Sequence, residues 1–324
     1  MKRSAEWAFP ADLRPDPARQ AFDLDAAVES VVGLRVEVPA DAFTASVLGT
    51  ERTGSGIVIR GDGLVLTVGY LITEASSIWL TTNDGRVLPG HVLGYDQATG
   101  FGLVQALGRL NLPPLPFGSV AEIAPGDPVV VVGHGGLAHS LQAKLLAKRE
   151  FAGYWEYVLD EALFTAPAHP QWGGTAMLDT AGRLLAVGSL LIEERVGRKR
   201  VQGNLGIPID LLAPILDDLL ARGRSSAAPR PWLGLYVGES EGGLVVGGMA
   251  KGGPADSAGL REGDKLIDVA GEPVASLAQF FRRVWSLGTA GTEIALTIRR
   301  RDADLVAMIR SGDRNDFLKK PSLH

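Results

Sequence analysis

Apolar residues gather in short runs, broken by turn residues roughly every ten positions. The runs are Leu34–Val38, Gly56–Arg60, Leu64–Thr67, Ile78–Thr82, Val87–Gly94, Gly102–Ala106, Pro128–Gly133, Leu141–Phe151, Tyr157–Phe164, Leu184–Ile192 and Arg200–Ile207. Gly61–Asp62–Gly63 and Asn83–Asp84–Gly85–Arg86 have the composition of hairpin turns. This spacing predicts an all-β barrel or sandwich, and the alternation alone does not choose between them. Ahead of the strands, Leu24, Ala27 and Val31 share a face, which predicts a helix over 23–32. Residues 1–22 are polar and rich in Pro and Arg, and predict a flexible N-terminal arm.

The period changes at Asp210–Arg222. Leu212, Ile215, Leu216, Leu219 and Leu220 form one apolar stripe, with Asp210 as a cap and Gly223 as a stop. Residues 223–231 read as a linker, so the barrel domain is expected to span 23–222. Short strands resume over 232–310, around a helix from Ser276 to Leu287. Its Leu277, Phe281 and Val284 are spaced i, i+4, i+7. That is a small α+β domain, followed by a tail at 311–324.

Composition narrows the class. The 324 residues are 46% hydrophobic and 21% charged, enough for two globular domains. A net charge of −5 gives no reason to expect nucleic-acid binding. The basic clusters Arg195–Arg200 and Arg299–Arg301 read as solvated tips. With no Cys, disulfides, thiol nucleophiles and thiolate metal sites are excluded. Pro10 and Asp12 interrupt any apolar N-terminal segment, and no membrane span is legible, so a cytoplasmic location is expected.

The stretch most suggestive of chemistry is Thr165–Leu178, where Gly173 and Gly174 lead into an apolar strand. Paired glycines before a strand signal a sharp bend or a close backbone approach. Turns of this kind present nucleophiles to main-chain oxyanion holes in several hydrolases. Here the apex carries no side chain.

The order of the pieces resembles the HtrA/Deg family, a trypsin-like double β-barrel followed by a PDZ domain. The resemblance runs over about 34–310 and rests on Gly54–Val58, Gly63–Thr67, Gly94–Thr99, Gly126–Gly133 and Gly206–Asp210. In the C-terminal part it rests on Trp232–Leu235, Gly253–Ala255, Ala258–Leu260, Glu262–Asp264 and Ala270–Val274. It implies a mainly β chain with a peptidase fold. The family's His falls at Tyr70, its Asp at Gly100 (Asp96 matching a preceding non-catalytic Asp), and its Ser at Gly173, or at Trp172 in a register slipped by one. The glycine two before the Ser becomes Gln171, or Pro170 in the slipped register. A phenol is a poor general base at neutral pH, and neither register supplies a hydroxyl. The expectation is therefore a chain that is not an enzyme, a pseudoprotease with no catalytic residues.

The resemblance further implies peptide binding in the PDZ domain. Trp232, Leu233, Gly234 and Leu235 would receive a C-terminal carboxylate, and Leu277, Phe281 and Val284 would line an apolar groove. Intramolecular closure of that groove is the alternative. Expected partners are peptide or protein C-termini, an active HtrA-type paralogue, and further copies of the chain, a trimer by analogy, with Phe22 and the 23–32 segment as contacts. No cofactor or metal is expected. A displaced site using His169 and Thr175 is the enzymatic alternative, against a loop histidine with no role. His134 and His139 lack a third ligand. Tyr154, Trp155 and Trp172 would line a cleft or pack in a core.

Overall fold

The computed structural model describes residues 7–196 and 199–319. Gly197 and Arg198 of the basic cluster, the first six residues of the expected arm and the last five of the expected tail lie outside them. The described residues form two compact units, one of 7–149, 161–196, 199–226 and 319, the other of 150–160 and 227–318.

The first unit holds two closed six-stranded antiparallel barrels. One is β1 (Val31–Glu37), β2 (Glu51–Arg60), β3 (Leu64–Val68), β4 (Ser77–Thr81), β5 (Val87–Tyr95) and β6 (Phe101–Ala106), in the order β1-β2-β3-β6-β5-β4. The other is β7 (Pro128–Val132), β8 (Ser140–Gly153), β9 (Tyr157–Ala166), β10 (Ala176–Leu178), β11 (Leu184–Val196) and β12 (Lys199–Pro208), in the order β10-β11-β12-β9-β8-β7. Closure removes exposed sheet edges. It also resolves the choice between barrel and sandwich. Inward side chains such as Ile57, Leu66, Leu103, Val131, Leu141 and Ala186 are fully buried. Short helices α1 (Leu24–Glu29), α2 (Ala45–Leu48), α3 (Gly69–Ile72) and α4 (Leu216–Arg222) accompany the barrels.

Two local readings change. The helix expected over 23–32 stops at Glu29, because Val31 and Val32 pair with Ile57 and Gly56 in β1. The helix expected over 210–222 starts only at Leu216, since Pro214 can supply no N–H to an earlier turn. Asp210 is no helix cap. Its carboxylate accepts from the Ser119 hydroxyl at 2.6 Å and the Val120 N–H at 2.9 Å. Gly223 does end the helix in the left-handed conformation, φ 73°.

Residues 7–22 pack against the second barrel rather than trailing free. Phe9 is buried and its N–H donates to Ala138 O, Leu13 O accepts from Gln142 N, and the Phe22 ring lies against Gly182. A methyl group at 182 would come within 2.5 Å of that ring.

The second unit is an antiparallel sheet of β13 (Leu235–Ser240), β14 (Gly243–Met249), β15 (Lys265–Val269), β17 (Glu293–Arg300) and β18 (Ala303–Arg310), with β16 (Glu272–Pro273) paired to β15. The short α5 (Pro254–Ser257) and the longer α6 (Leu277–Ser286) pack on it, α6 starting at the Ser276 cap as expected from sequence. The unit continues past 310: Trp232 and Gly312 exchange main-chain hydrogen bonds, and Phe317 packs on Trp232 with ring centroids 4.6 Å apart.

Candidate functional site

Of the positions matched to the catalytic triad, Gly173 lies against Tyr70, and Gly100 bonds to Gly69, the residue before Tyr70. A Cβ built on Gly173 would lie 2.9 Å from the Tyr70 hydroxyl, and Gly69 donates to Gly100 O at 2.7 Å. Gly173 and Trp172, the two registers for the nucleophile's position, both lie against Tyr70. Tyr70 donates its hydroxyl to Ser189 O at 2.8 Å, and burial pushes its phenol far above the ordinary range. Trp172 hydrogen-bonds to that phenol through its side chain, so it belongs to this cluster. Asp96 shapes the turn before β6: its carboxylate accepts from Thr99 N, and its carbonyl from Gly100 N.

Glycine is obligatory at the loop apex. Gly174 has φ +80°, and a Cβ there would meet Ser55 O at 1.8 Å. Gly173 O accepts from Ser55 N at 2.8 Å, which stitches the loop to β2.

His169 is neither idle nor displaced. Its ring is fully buried beside Trp7 and Phe9. Nε2 lies 2.9 Å from His139 O, which can only accept, so the proton sits on Nε2 and Nδ1 accepts from Gln171 N at 3.1 Å. Asn204 brackets its main chain, accepting from His169 N and donating to His169 O. Burial lowers its pKa to about 4. Thr175, also buried, donates to Trp172 O at 3.1 Å. His169 and Thr175 have separate partners, His139, Asn204 and Gln171 for the first and Trp172 for the second. Sequence reasoning missed this structural role of His169; Gly133, whose Cβ would come within 2.7 Å of the imidazole, was the available signal.

A second constellation lies in the other unit. Three consecutive amides, Leu233, Gly234 and Leu235, converge on the Glu156 carboxylate at 3.1, 2.6 and 3.0 Å. Glu156 is the turn residue between β8 and β9, held at φ +60°. Tyr154 O accepts from Val237 N at 3.0 Å, so the turn also runs beside β13. Leu277, Phe281 and Val284 are buried in one cluster with Leu233, Leu235 and, from β9, Val158. Trp232, expected at the carboxylate, faces Phe317 instead. Burial raises the Glu156 pKa to about 7, against the three amides, which lower it.

Residues 54–187 match the trypsin-like peptidase domain model, and residues 245–300 match the PDZ domain model. A Synechocystis sp. protein whose name describes a serine protease, HhoB, is 25% identical over 288 residues, covering 81% of this chain and 67% of that protein. A Chlamydia pneumoniae protein named as a DegP-like periplasmic serine endoprotease is 26% identical over 265 residues, 76% of this chain and 52% of that protein. The solved HtrA-type protease AlgW with decapeptide superposes with TM-score 0.53 at 19% identity, covering 92% of this chain and 99% of that one. A peptidase domain followed by a PDZ domain is the order that the HtrA/Deg-type relatives share.

The chain thus spans between about half and two thirds of the length of those two curated relatives. The expectation that it is not an enzyme is corrected here. Relatives matched over most of the chain carry the names of serine proteases and endoproteases, and the barrel unit matches a peptidase domain. Substitutions assigned at three aligned positions do not outweigh that. The cytoplasmic expectation draws no support from these relatives either, one of which is named as periplasmic.

The remaining candidates in this chain have structural roles. His134 N donates to the Ser55 hydroxyl, and the buried His139 packs on Trp7 with centroids 4.4 Å apart. Tyr154 and Trp155 belong to the second unit, where Trp155 stacks on Tyr157, and not to the 169–175 loop. Among the described residues no group of three or more His, Asp or Glu side chains is placed to hold a metal ion, and no helix is long and apolar enough to cross a membrane.

Proposed function

We propose that this chain is an HtrA-type protein that recognises polypeptide C-termini through its PDZ domain. One observation carries the reading: three successive main-chain N–H groups of the Leu233–Leu235 loop converge on a single carboxylate. A chain terminus offers the same group, and β13 beside the loop offers main-chain partners to an added strand. The apolar Leu277, Phe281 and Val284 favour a hydrophobic terminal residue. Fluorescence anisotropy of a labelled peptide ending in a free Val carboxylate, titrated with the full chain, tests this. Saturable binding that is lost on C-terminal amidation is expected; equal binding of the amide rejects the reading.

Serine-type endopeptidase activity of the barrel unit is the accompanying reading, favoured by the names of the relatives. Tyr70, Thr175 and Ser189 are hydroxyls around the apex that a fluorophosphonate probe would report. Labelling mapped to one of them, together with casein cleavage abolished by its substitution, supports the activity; an unlabelled chain that leaves casein intact removes it. Assembly into a trimer, or with an active HtrA-type paralogue, belongs to the same proposal and is read by light scattering of the chain alone and with such a paralogue.

A further inference from the structure

The group seated on the carboxylate loop belongs to the chain itself. Glu156 lies 77–79 residues before the amides it engages, on the β8–β9 turn. The turn reproduces more than one contact of an added strand. Tyr154 O takes the β13 N–H at Val237, two residues along from Leu235, while the carboxylate two residues after Tyr154 takes the loop amides. Val158 enters the apolar cluster of Leu277, Phe281 and Val284, and Ala152 packs on its edge. On the helical side, Arg282 of α6 pairs with both Glu150 and Asp160 at the base of the turn. Carboxylate, strand and apolar positions are thus all taken by residues 150–160.

The backbone at Glu156 points the same way. A non-glycine residue at φ +60° is held in a sparsely populated conformation, which persists where surrounding contacts over-determine it. Here those contacts are the three amides.

We infer that the Tyr154–Trp155–Glu156 turn is a built-in ligand of the PDZ carboxylate loop, and that a free polypeptide C-terminus binds this chain only by displacing it. This rests on the reading of the PDZ domain as a C-terminus receptor. Affinity for an external peptide is then reduced by the fraction of molecules in which the turn has left the loop. Selectivity follows as well. A weak carboxylate ligand does not clear the site, so only a peptide that replaces the strand and apolar contacts together competes with the turn.

The test uses the full chain as wild type, Glu156→Gln and Glu156→Gly. The second substitution removes the carboxylate and suits the left-handed turn. The probe is a fluorescein-labelled hexapeptide ending in a free Val carboxylate, read by anisotropy. Affinity is expected to tighten by about tenfold or more in Glu156→Gly and by less in Glu156→Gln. Hydrogen exchange of the wild type supplies a readout that does not depend on any variant's folding. Saturating peptide should speed exchange over residues 150–160 while the amides of 233–235 stay protected. Equal affinity across the three proteins, or unchanged exchange at 150–160 on binding, overturns the built-in ligand and leaves the PDZ reading standing. No binding by any of the three at about 1 mM overturns the PDZ reading itself, and the inference with it.

Discussion

The 169–175 loop of the barrel unit and the 233–235 loop of the PDZ unit have a common design. Both are glycine-bearing turns with main-chain N–H groups bonded to a side chain, one N–H (Gln171) in the first and three (233–235) in the second. In the barrel loop the acceptor is a neutral imidazole, fully buried among Trp7, Phe9 and Asn204 and bonded through both ring nitrogens. In the PDZ loop it is a carboxylate on a hairpin turn, at a conformation its backbone does not favour. Removing the first means unpacking a core. Removing the second means lifting a turn. The two loops therefore differ in how firmly their side-chain acceptor is anchored.

The sharpest way to break this contrast is at the barrel apex. Gly174→Ala forces a methyl group onto Ser55 O at a left-handed φ, and should destabilise the barrel unit by about 4 kcal/mol or prevent folding. Urea denaturation followed by hydrogen exchange in each unit checks it. A stable Gly174→Ala protein would mean that the apex is not stitched to β2.

Next comes His169. Its alanine variant leaves the Gln171 N–H and His139 O without their partner inside a packed core, a loss of about 2–4 kcal/mol. The pH dependence has a definite sign. The folded pKa of about 4 lies below the ordinary 6.5, so the unfolded chain binds the proton more readily. Stability should therefore fall as pH drops from 6.5 to 4, by about 3 kcal/mol at the limit. His169→Gln should flatten that limb. A histidine merely riding on an exposed loop would show neither effect.

Glu156 should run in the opposite direction. Its folded pKa is raised from 4.5 to about 7, so the stability linked to its proton is full below pH 4.5 and lost as pH climbs through 7. The groups around it are Arg314, which lowers its pKa, and Tyr236, whose own pKa is raised chiefly by burial and more weakly by Tyr154 and Glu156. Binding of the Val-ending peptide, whose own carboxylate is charged throughout this range, should strengthen from pH 5 to 7.5 in the wild type. In Glu156→Gln it should stay level. A wild-type affinity independent of pH would remove proton linkage from the turn.

The smallest effect is at Arg282. Its pairs with Glu150 and Asp160 are largely exposed. Arg282→Ala should change stability by less than about 1 kcal/mol, and peptide affinity by less than about threefold, both vanishing at high salt. A larger change would make α6, and not Glu156, the principal anchor of the turn.

Much of this was legible in the sequence. The strand runs, the α6 cap at Ser276 and the stop at Gly223 depend on local composition, and local composition reports them well. The matching of positions 70, 100 and 173 to a triad came from family resemblance alone. Pro214 was a readable warning against a single helix over 210–222. The role of Glu156 was not readable. It depends on the length and register of the β8–β9 hairpin, and no residue near Glu156 marks its carboxylate as the partner of amides 77 positions away. His169 failed for a related reason: its acceptor and donor, His139 O and Gln171 N, are main-chain atoms, and Gly133, which makes room for the ring, is the one mark left in residue type.

The exchange of hydrogen bonds between Trp232 and Gly312, with Phe317 on the indole, has a practical consequence for dissecting this chain. A fragment cut at 310 discards the staple that closes the PDZ unit, whereas one spanning 227–318 keeps it but lacks residues 150–160. The longer fragment would display its carboxylate loop without the resident turn. Its affinity for a C-terminus would then measure the bare receptor, and the difference from the intact chain would be a direct reading of how firmly that turn is held.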